Sequence, residues 1–237
     1  MSINKQRGLT IQQTVYTPQG LLGSLNPVEK VNAPDALYVA GDVEILRKGL
    51  RVSVVGSRGA SKAGLNRTSR LARFLVERGF PVVSGLAEGI DTAAHRAAME
   101  SGGRTIAVLG TPLDEVYPRK NAVLQQEIME NHLAVSQFPP GHPVLRTNFP
   151  RRNRTMALIA SATVIVEAGN SSGSLSQGWE ALRLGRLLFI MKSTVDNPSL
   201  QWPKEMLKYG AQVLAEPEEM LDFLPVETGS SLASVAL

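Results

Sequence analysis

From residue 50 onward, short apolar runs of strand length alternate with longer segments whose apolar positions recur at helical spacing, and glycine or proline marks the joints. The runs predict strands over residues 50–55, 81–84, 105–109, 133–138, 163–167 and 187–191, with a weaker one at 212–214. Most are unbroken apolar stretches, as parallel strands covered on both faces require. The intervening segments predict helices over 65–78, 92–101, 121–131, 152–160, 174–184, 203–209 and 218–224. Asp91 stands where it would cap the second of these helices and Ser174 the fifth. Repeated strand and helix imply an α/β fold, a doubly wound, mostly parallel sheet with helices on both faces. Before residue 50 the pattern loosens, with prolines at 18, 27 and 34, one strand over 36–39 and one short helix over 43–46. Residues 1–49 therefore read as an N-terminal extension packed on a single core of 50–225, and 226–237 as a small, polar, flexible tail.

Composition narrows the class. A chain of 237 residues with 43% hydrophobic content can bury roughly 70–75% of its unfolded surface in one core. The absence of cysteine excludes disulfides, thiolate metal sites and a cysteine nucleophile. No apolar stretch reaches the roughly 20 residues of a membrane span, and the opening MSINKQRGLTIQQ lacks the apolar core of a signal peptide. These features predict a soluble, cytoplasmic protein. The net charge of +4 hides a polarised chain. Residues 47–78 carry nine Lys or Arg and one acid, 141–160 four arginines and no acid, and 196–227 seven acids against two lysines. Such polarity favours a polyanionic partner.

In open parallel sheets ligands sit beyond the carboxyl ends of the strands, and four loops there are chemically unusual. GSRGASKAG (56–64) combines glycines with Arg58 and Lys62 ahead of a helix, a composition suited to an anion at a helix N-terminus. It is neither the dinucleotide fingerprint nor a P-loop. SGLAEGID (84–91) offers Gly85 and Gly89 for close backbone approach, and places Asp91 four residues before His95. LRTNFPRRNR (145–154) holds four arginines, one aromatic and no acid. Guanidinium forks suit phosphate oxygens, and Phe149 supplies a ring on which a base can stack. EAGNSSGSLSQG (167–178) is a second small, glycine-rich turn into a helix. Its Glu167 is a candidate ion-pair partner for one of those arginines.

These loops, in this order, resemble the DNA-processing protein A (DprA/Smf) family. The matching stretches are YVAGD at 38–42, VVGSRGAS at 54–61, SGLAEGIDTAAH at 84–95, GGRTIAVLGTPLDEVYPRKN at 102–121, NFPRRNR at 148–154 and EAGNSSGSL at 167–175. The resemblance implies a Rossmann-like domain that binds single-stranded DNA in a basic pocket and helps load a RecA-type recombinase during natural transformation, with no metal, cofactor or catalytic residue. It also implies a homodimer. Carried across by position, the DNA site would comprise Ser57, Arg58, Gly85, Gly89, Asn153, Arg154, Ser172, Gly173 and Ser174; the chemistry of the loops adds Lys62, Phe149 and Arg151. Many members carry a helical domain before this core and a winged-helix domain after it, so the chain reads as a short member without them. The sequence after SGSL departs from the usual pattern and is expected to alter the pocket rim at Gln177 and Trp179.

Two other functions suit the same pattern. The fold also resembles phosphoribohydrolases that release a base from a nucleoside monophosphate, whose glycine-rich turn precedes a helix bearing a glutamate. Here Gln177 occupies that position, and an amide supplies no proton transfer; Glu180 lies one turn later. A nucleotide-ligand sensor is the third reading. Metal catalysis is disfavoured, because histidines 95, 132 and 142 show no ligand spacing.

Overall fold

A computed structural model describes residues 12–47 and 49–225. The chain begins with β1 (Thr14–Tyr16), α1 (Pro18–Leu22), α2 (Pro27–Asn32), β2 (Leu37–Gly41) and α3 (Glu44–Arg47). The core follows as β3 (Val52–Val55), α4 (Lys62–Glu77), β4 (Val82–Ser84), α5 (Ile90–Glu100), β5 (Thr105–Leu109), α6 (Ala122–Asn131) and β6 (Leu133–Ser136). It continues as α7 (Asn148–Ile159), β7 (Ala162–Ile165), α8 (Ser174–Arg183), β8 (Leu187–Met191), α9 (Lys192–Val195), α10 (Trp202–Lys208) and β9 (Gln212–Leu214). One sheet takes the order β1-β2-β6-β5-β4-β3-β7-β8-β9. Its pairs from β6 through β9 are parallel, while β1–β2 and β2–β6 are antiparallel.

Alternation along each buried strand sends successive side chains to opposite layers. Val52, Val54 and Val82 join Leu71, Phe74 and Leu75 of α4 on one face. Val55, Val83, Ile106 and Val108 join Met156 and Ile159 of α7 and Met206 of α10 on the other. Helices α4 and α5 pack together on the first side, and α7 and α8 on the second. A mostly parallel sheet with helices on both faces is thus the observed class.

The extension carries the strand expected over 36–39 as β2 and the short helix expected over 43–46 as α3. It does not merely rest on the core but adds two strands to the sheet, with Val39 opposite Val135 and Ala40 opposite Ala134. Pro18 and Pro27 each open a helix behind a Thr17 or Asn26 cap. Proline's fixed φ and missing N–H suit that first position. Arg186 then ties the extension to the core by pairing with the buried Glu29.

Helix α4 starts at Lys62 rather than 65, and other elements shift as well. Helix α7 starts at Asn148, a full turn before the predicted 152, strand β6 ends at Ser136, and the last segment is a 3-10 turn over Pro217–Asp222 rather than an α-helix. The predicted tail at 226–237 lies outside the described residues.

Candidate nucleic-acid interface

Strand order reverses at β3: the chain runs outward through β4, β5 and β6, then returns to β3's other side as β7. The crevice beyond the carboxyl ends of β3 and β7 is the topological switch point where such sheets bind ligands. It holds a cavity of about 510 Å³, walled by Gly56, Ser57, Arg58 and Gly59 after β3, by one face of α7, and by Gly169, residues 171–173 and the first residue of α8, Ser174.

The start of α4, expected as an anion site, already has its anion. Glu167 accepts hydrogen bonds from the Ser61 N–H (2.9 Å) and hydroxyl (2.6 Å), while Ser61 caps the helix by accepting from Gly64 N–H. Arg67 pairs with the same carboxylate at 3.5 Å. Glu167 is therefore engaged by α4 and its N-terminal loop and makes no pair with the arginines of α7. Lys62, the first residue of α4, is exposed and does not line the cavity.

Behind the cavity, Gly85 is held at both ends. Asp91 Oδ2 accepts from the Gly85 and Ala87 N–H groups (3.2 and 3.3 Å), and Arg152 Nη1 donates to the carbonyls of Gly85 and Val108. A Cβ at Gly85 would collide with the Arg152 guanidinium. Asp91 is thus the clamp of the loop before α5 rather than its cap; Gly89 occupies the cap position without a side-chain bond. Gly89 has φ +78°, and a Cβ there would strike the carbonyls of Ser57 and Arg58. Burial pushes the Asp91 carboxyl up despite the opposing pull of Arg152, and lowers Arg152 against the pull of Asp91. His95 is wholly buried, with Nδ1 2.7 Å from the Thr105 hydroxyl. Burial foremost, then His132 and Arg152, push its pKa down to about 3. It is a neutral core histidine.

With α7 starting at 148, Phe149, Arg152, Asn153 and Met156 fall on one face at helical spacing and line the cavity. Asn153 donates to the Gly173 carbonyl (3.1 Å) and accepts from Arg152 Nε (2.9 Å), joining α7 to the turn before α8. In that turn the Ser172 and Ser174 hydroxyls lie 2.7 Å apart. Gly173, not Ser174, holds the cap position of α8. Arg58 is exposed, has no acidic partner among the described residues, and sits 5.9 Å from the centre of the Phe149 ring.

Of the residues expected at the site, Ser57, Arg58, Phe149, Asn153, Ser172, Gly173 and Ser174 come together around this cavity. Gly85 and Gly89 shape its floor from behind. Arg151 and Arg154 lie on another face of α7, along a separate groove of about 420 Å³ shared with Tyr38, Gln137 and Asp35. There Arg151 stacks over Phe138 at 5.3 Å and Arg154 pairs with Glu180 at 3.4 Å. Arg152 and Asp91 line the cavity and were not among the expected residues of the site, whereas Gln177, expected at its rim, does line it. Arginines at 151, 152 and 154 do not reveal which one points inward until the helix phase is known. Gln177 is fully buried; with its amide turned so that both ends are satisfied, the nitrogen donates to the Asn153 carbonyl (2.6 Å) and the oxygen accepts from the Ala157 N–H (3.3 Å). Trp179, expected at the rim, instead packs edge-on against Tyr209 at 5.4 Å.

The arrangement presents a free guanidinium, an aromatic ring and several hydroxyls around an open crevice, a chemistry suited to a phosphate beside a base. No helix among the described residues is long and apolar enough to cross a membrane.

Comparison with known proteins agrees with this architecture. The family model described as DNA recombination-mediator protein A matches residues 9–225. Protein Smf of Escherichia coli is 40% identical over 192 residues, covering 81% of this chain and 51% of that protein. DNA processing protein DprA of Streptococcus pneumoniae is 38% identical over 193 residues, covering 81% and 68%. The X-ray structure of the S. pneumoniae protein superposes with a TM-score of 0.78 at 32% identity, over 92% of this chain and 76% of that one. DNA processing protein A from Helicobacter pylori, whose structure was reported for its single-stranded DNA binding mode, gives 0.76 at 26%, over 90% and 96%. The chain spans about half to two thirds of the length of these curated relatives. Matched along nearly all its described residues by the family model, by relatives and by fold, the chain belongs to the DNA recombination-mediator protein A family.

Proposed function

We propose that the chain binds single-stranded DNA in the crevice beyond β3 and β7, and serves DNA processing and recombination as a binding protein rather than as an enzyme. The observation that carries this reading is Arg58, an exposed guanidinium without an acidic partner among the described residues, beside the ring of Phe149. Charge there meets phosphate, and the ring meets a base. Ser57, Asn153, Ser172, Gly173 and Ser174 complete the pocket, with Gly85 and Gly89 as its support. Arg151, Arg154 and Lys62 continue the basic surface beyond it. The H. pylori relative's reported single-stranded DNA binding supports the choice of ligand.

Hydrolysis of a nucleoside monophosphate is disfavoured by the same geometry. Gln177 is buried against α7, Glu180 is paired with Arg154 and Arg183, and Asp91 is committed to backbone N–H groups. A RecA-type recombinase as partner, a homodimer, a role in natural transformation and a cytoplasmic location complete the proposal. The test is fluorescence anisotropy with labelled oligothymidine across a salt series. Binding should weaken linearly in log–log form as salt rises. No binding at low salt overturns the reading, and tight binding of a mononucleotide without oligothymidine affinity replaces it with a sensor.

A further inference from the structure

Residues 102–121, the longest stretch of the family resemblance, end in a loop that does not line the cavity. That loop runs from β5 to α6 and is held firmly. The Thr111 hydroxyl donates to the Glu115 carbonyl (3.2 Å), and Gln125 Nε2 donates to the carbonyls of Leu113 and Glu115 (3.3 and 3.0 Å). Beyond it, Asn121 Nδ2 donates to the Leu86 carbonyl (2.9 Å) and Lys120 pairs with Glu88 (3.0 Å). These bonds present Tyr117 at 42% exposure, with its ring centre 5.2 Å from that of Phe149 and the two planes tilted by 46°. Val116 beside it is 41% exposed. Asp114 and Glu115 precede the ring; Arg119 and Lys120 follow it, both exposed.

Firm anchoring of a loop whose tip offers a bare aromatic ring next to a second ring is the build of a stacking platform rather than of a core contact. We propose that Tyr117 is a second nucleobase-stacking site, taking the base adjacent to the one at Phe149 and Arg58, with the strand leading away toward Arg119. The proposal rests on the single-stranded DNA reading above and assigns a role to the β5–α6 loop.

The test uses the full chain with oligothymidine carrying a single 5-iodouracil, irradiated and mapped by mass spectrometry, alongside anisotropy of two variants. The expected result is an adduct on Tyr117 in the wild-type chain, a loss of affinity of about 5- to 150-fold in Tyr117→Ala, and retention of affinity in Tyr117→Phe. The adduct is read on the wild-type protein, so it does not depend on how the variants fold. Wild-type binding with adducts on Phe149 and none on Tyr117, for every position of the iodouracil, overturns the proposal and leaves the DNA reading standing. Failure of the wild-type chain to bind oligothymidine overturns the reading itself, and this proposal with it.

Discussion

Asp91 and Arg152 grip opposite ends of a single residue: the carboxylate accepts the Gly85 N–H at 3.2 Å, and the guanidinium donates to the Gly85 carbonyl. Two buried charges are thereby spent on positioning the backbone behind the cavity. Because Arg152 also reaches the Val108 carbonyl at 2.9 Å, it links the ends of β4 and β5 to α7. The neighbouring Leu86 has φ +60°, an uncommon conformation for a leucine that persists only where the surroundings over-determine it.

Gly85→Ala places a methyl group on the Arg152 guanidinium. Either the arginine moves and leaves its carbonyl partners without a donor, or the β4–α5 loop shifts. The expected cost is about 2–4 kcal/mol, between ordinary overpacking and the breaking of a buried charge network. A fall in the urea midpoint without a change in slope would show it.

His95 and Asp91 pull the pH dependence of stability in opposite directions. The folded His95 pKa of about 3 lies below its ordinary 6.5, so the unfolded chain takes up a proton first and stability is lost as pH falls from about 6.5 toward 3. The full loss is of order 4–5 kcal/mol. Burial raises Asp91 above its ordinary 3.8. In the window just above that value the folded state holds the extra proton, and stability falls as pH rises. His95→Gln should therefore flatten the acid limb of a stability–pH profile, and Asp91→Asn should steepen it by at most about 1.4 kcal/mol per pH unit. Urea unfolding at a series of pH values distinguishes the two slopes.

Much of this site is legible in the sequence because its loops carry unusual composition. Ser57, Arg58 and residues 172–174 could be placed at strand ends by periodicity alone, and strand-end loops are where such folds bind. What sequence hides is phase and partnership. A helix started at 152 gives no reason to group Phe149 with Arg152, Asn153 and Met156. Started at 148, it separates those residues from Arg151 and Arg154 at once. Glu167 reads equally as a partner of any nearby cation, and only the fold brings it to Ser61 and Arg67. The three residues of β1 are too few to show a period, and the Pro18 and Pro27 helices are too short to show an apolar face. The strand over 36–39 was legible and is β2, but β1 and the antiparallel pairing of β2 with β6 were not.

Glu167→Gln tests whether the start of α4 is a structural anion site or a vacant ligand site. Losing the carboxylate that holds Ser61 should cost about 1–2 kcal/mol of stability, seen as a lower thermal midpoint. The affinity for oligothymidine should not fall, since Glu167 is engaged by α4 and its N-terminal loop rather than by the open crevice.

The two basic concavities on either side of α7 can be separated by the length of the bound strand. Arg58 lies in the cavity and Arg151 and Arg154 in the neighbouring groove, with the body of a helix between them. A strand of about 4 nucleotides has room for one, whereas one of about 12 can extend across both. Arg58→Ala should therefore lower the log–log salt slope by roughly 0.7, one phosphate contact, with either oligonucleotide. Arg151→Ala should lower it only with the longer one. Arg154→Ala should do so by less, because its guanidinium must first leave Glu180, 3.4 Å away. Phe149→Ala acts through stacking instead of charge, so it should cost about 1–3 kcal/mol with both lengths and leave the slope unchanged. An Arg151→Ala effect already present with the short strand would place the DNA in the groove rather than in the cavity, and would move the centre of the site from Arg58 to the opposite side of α7.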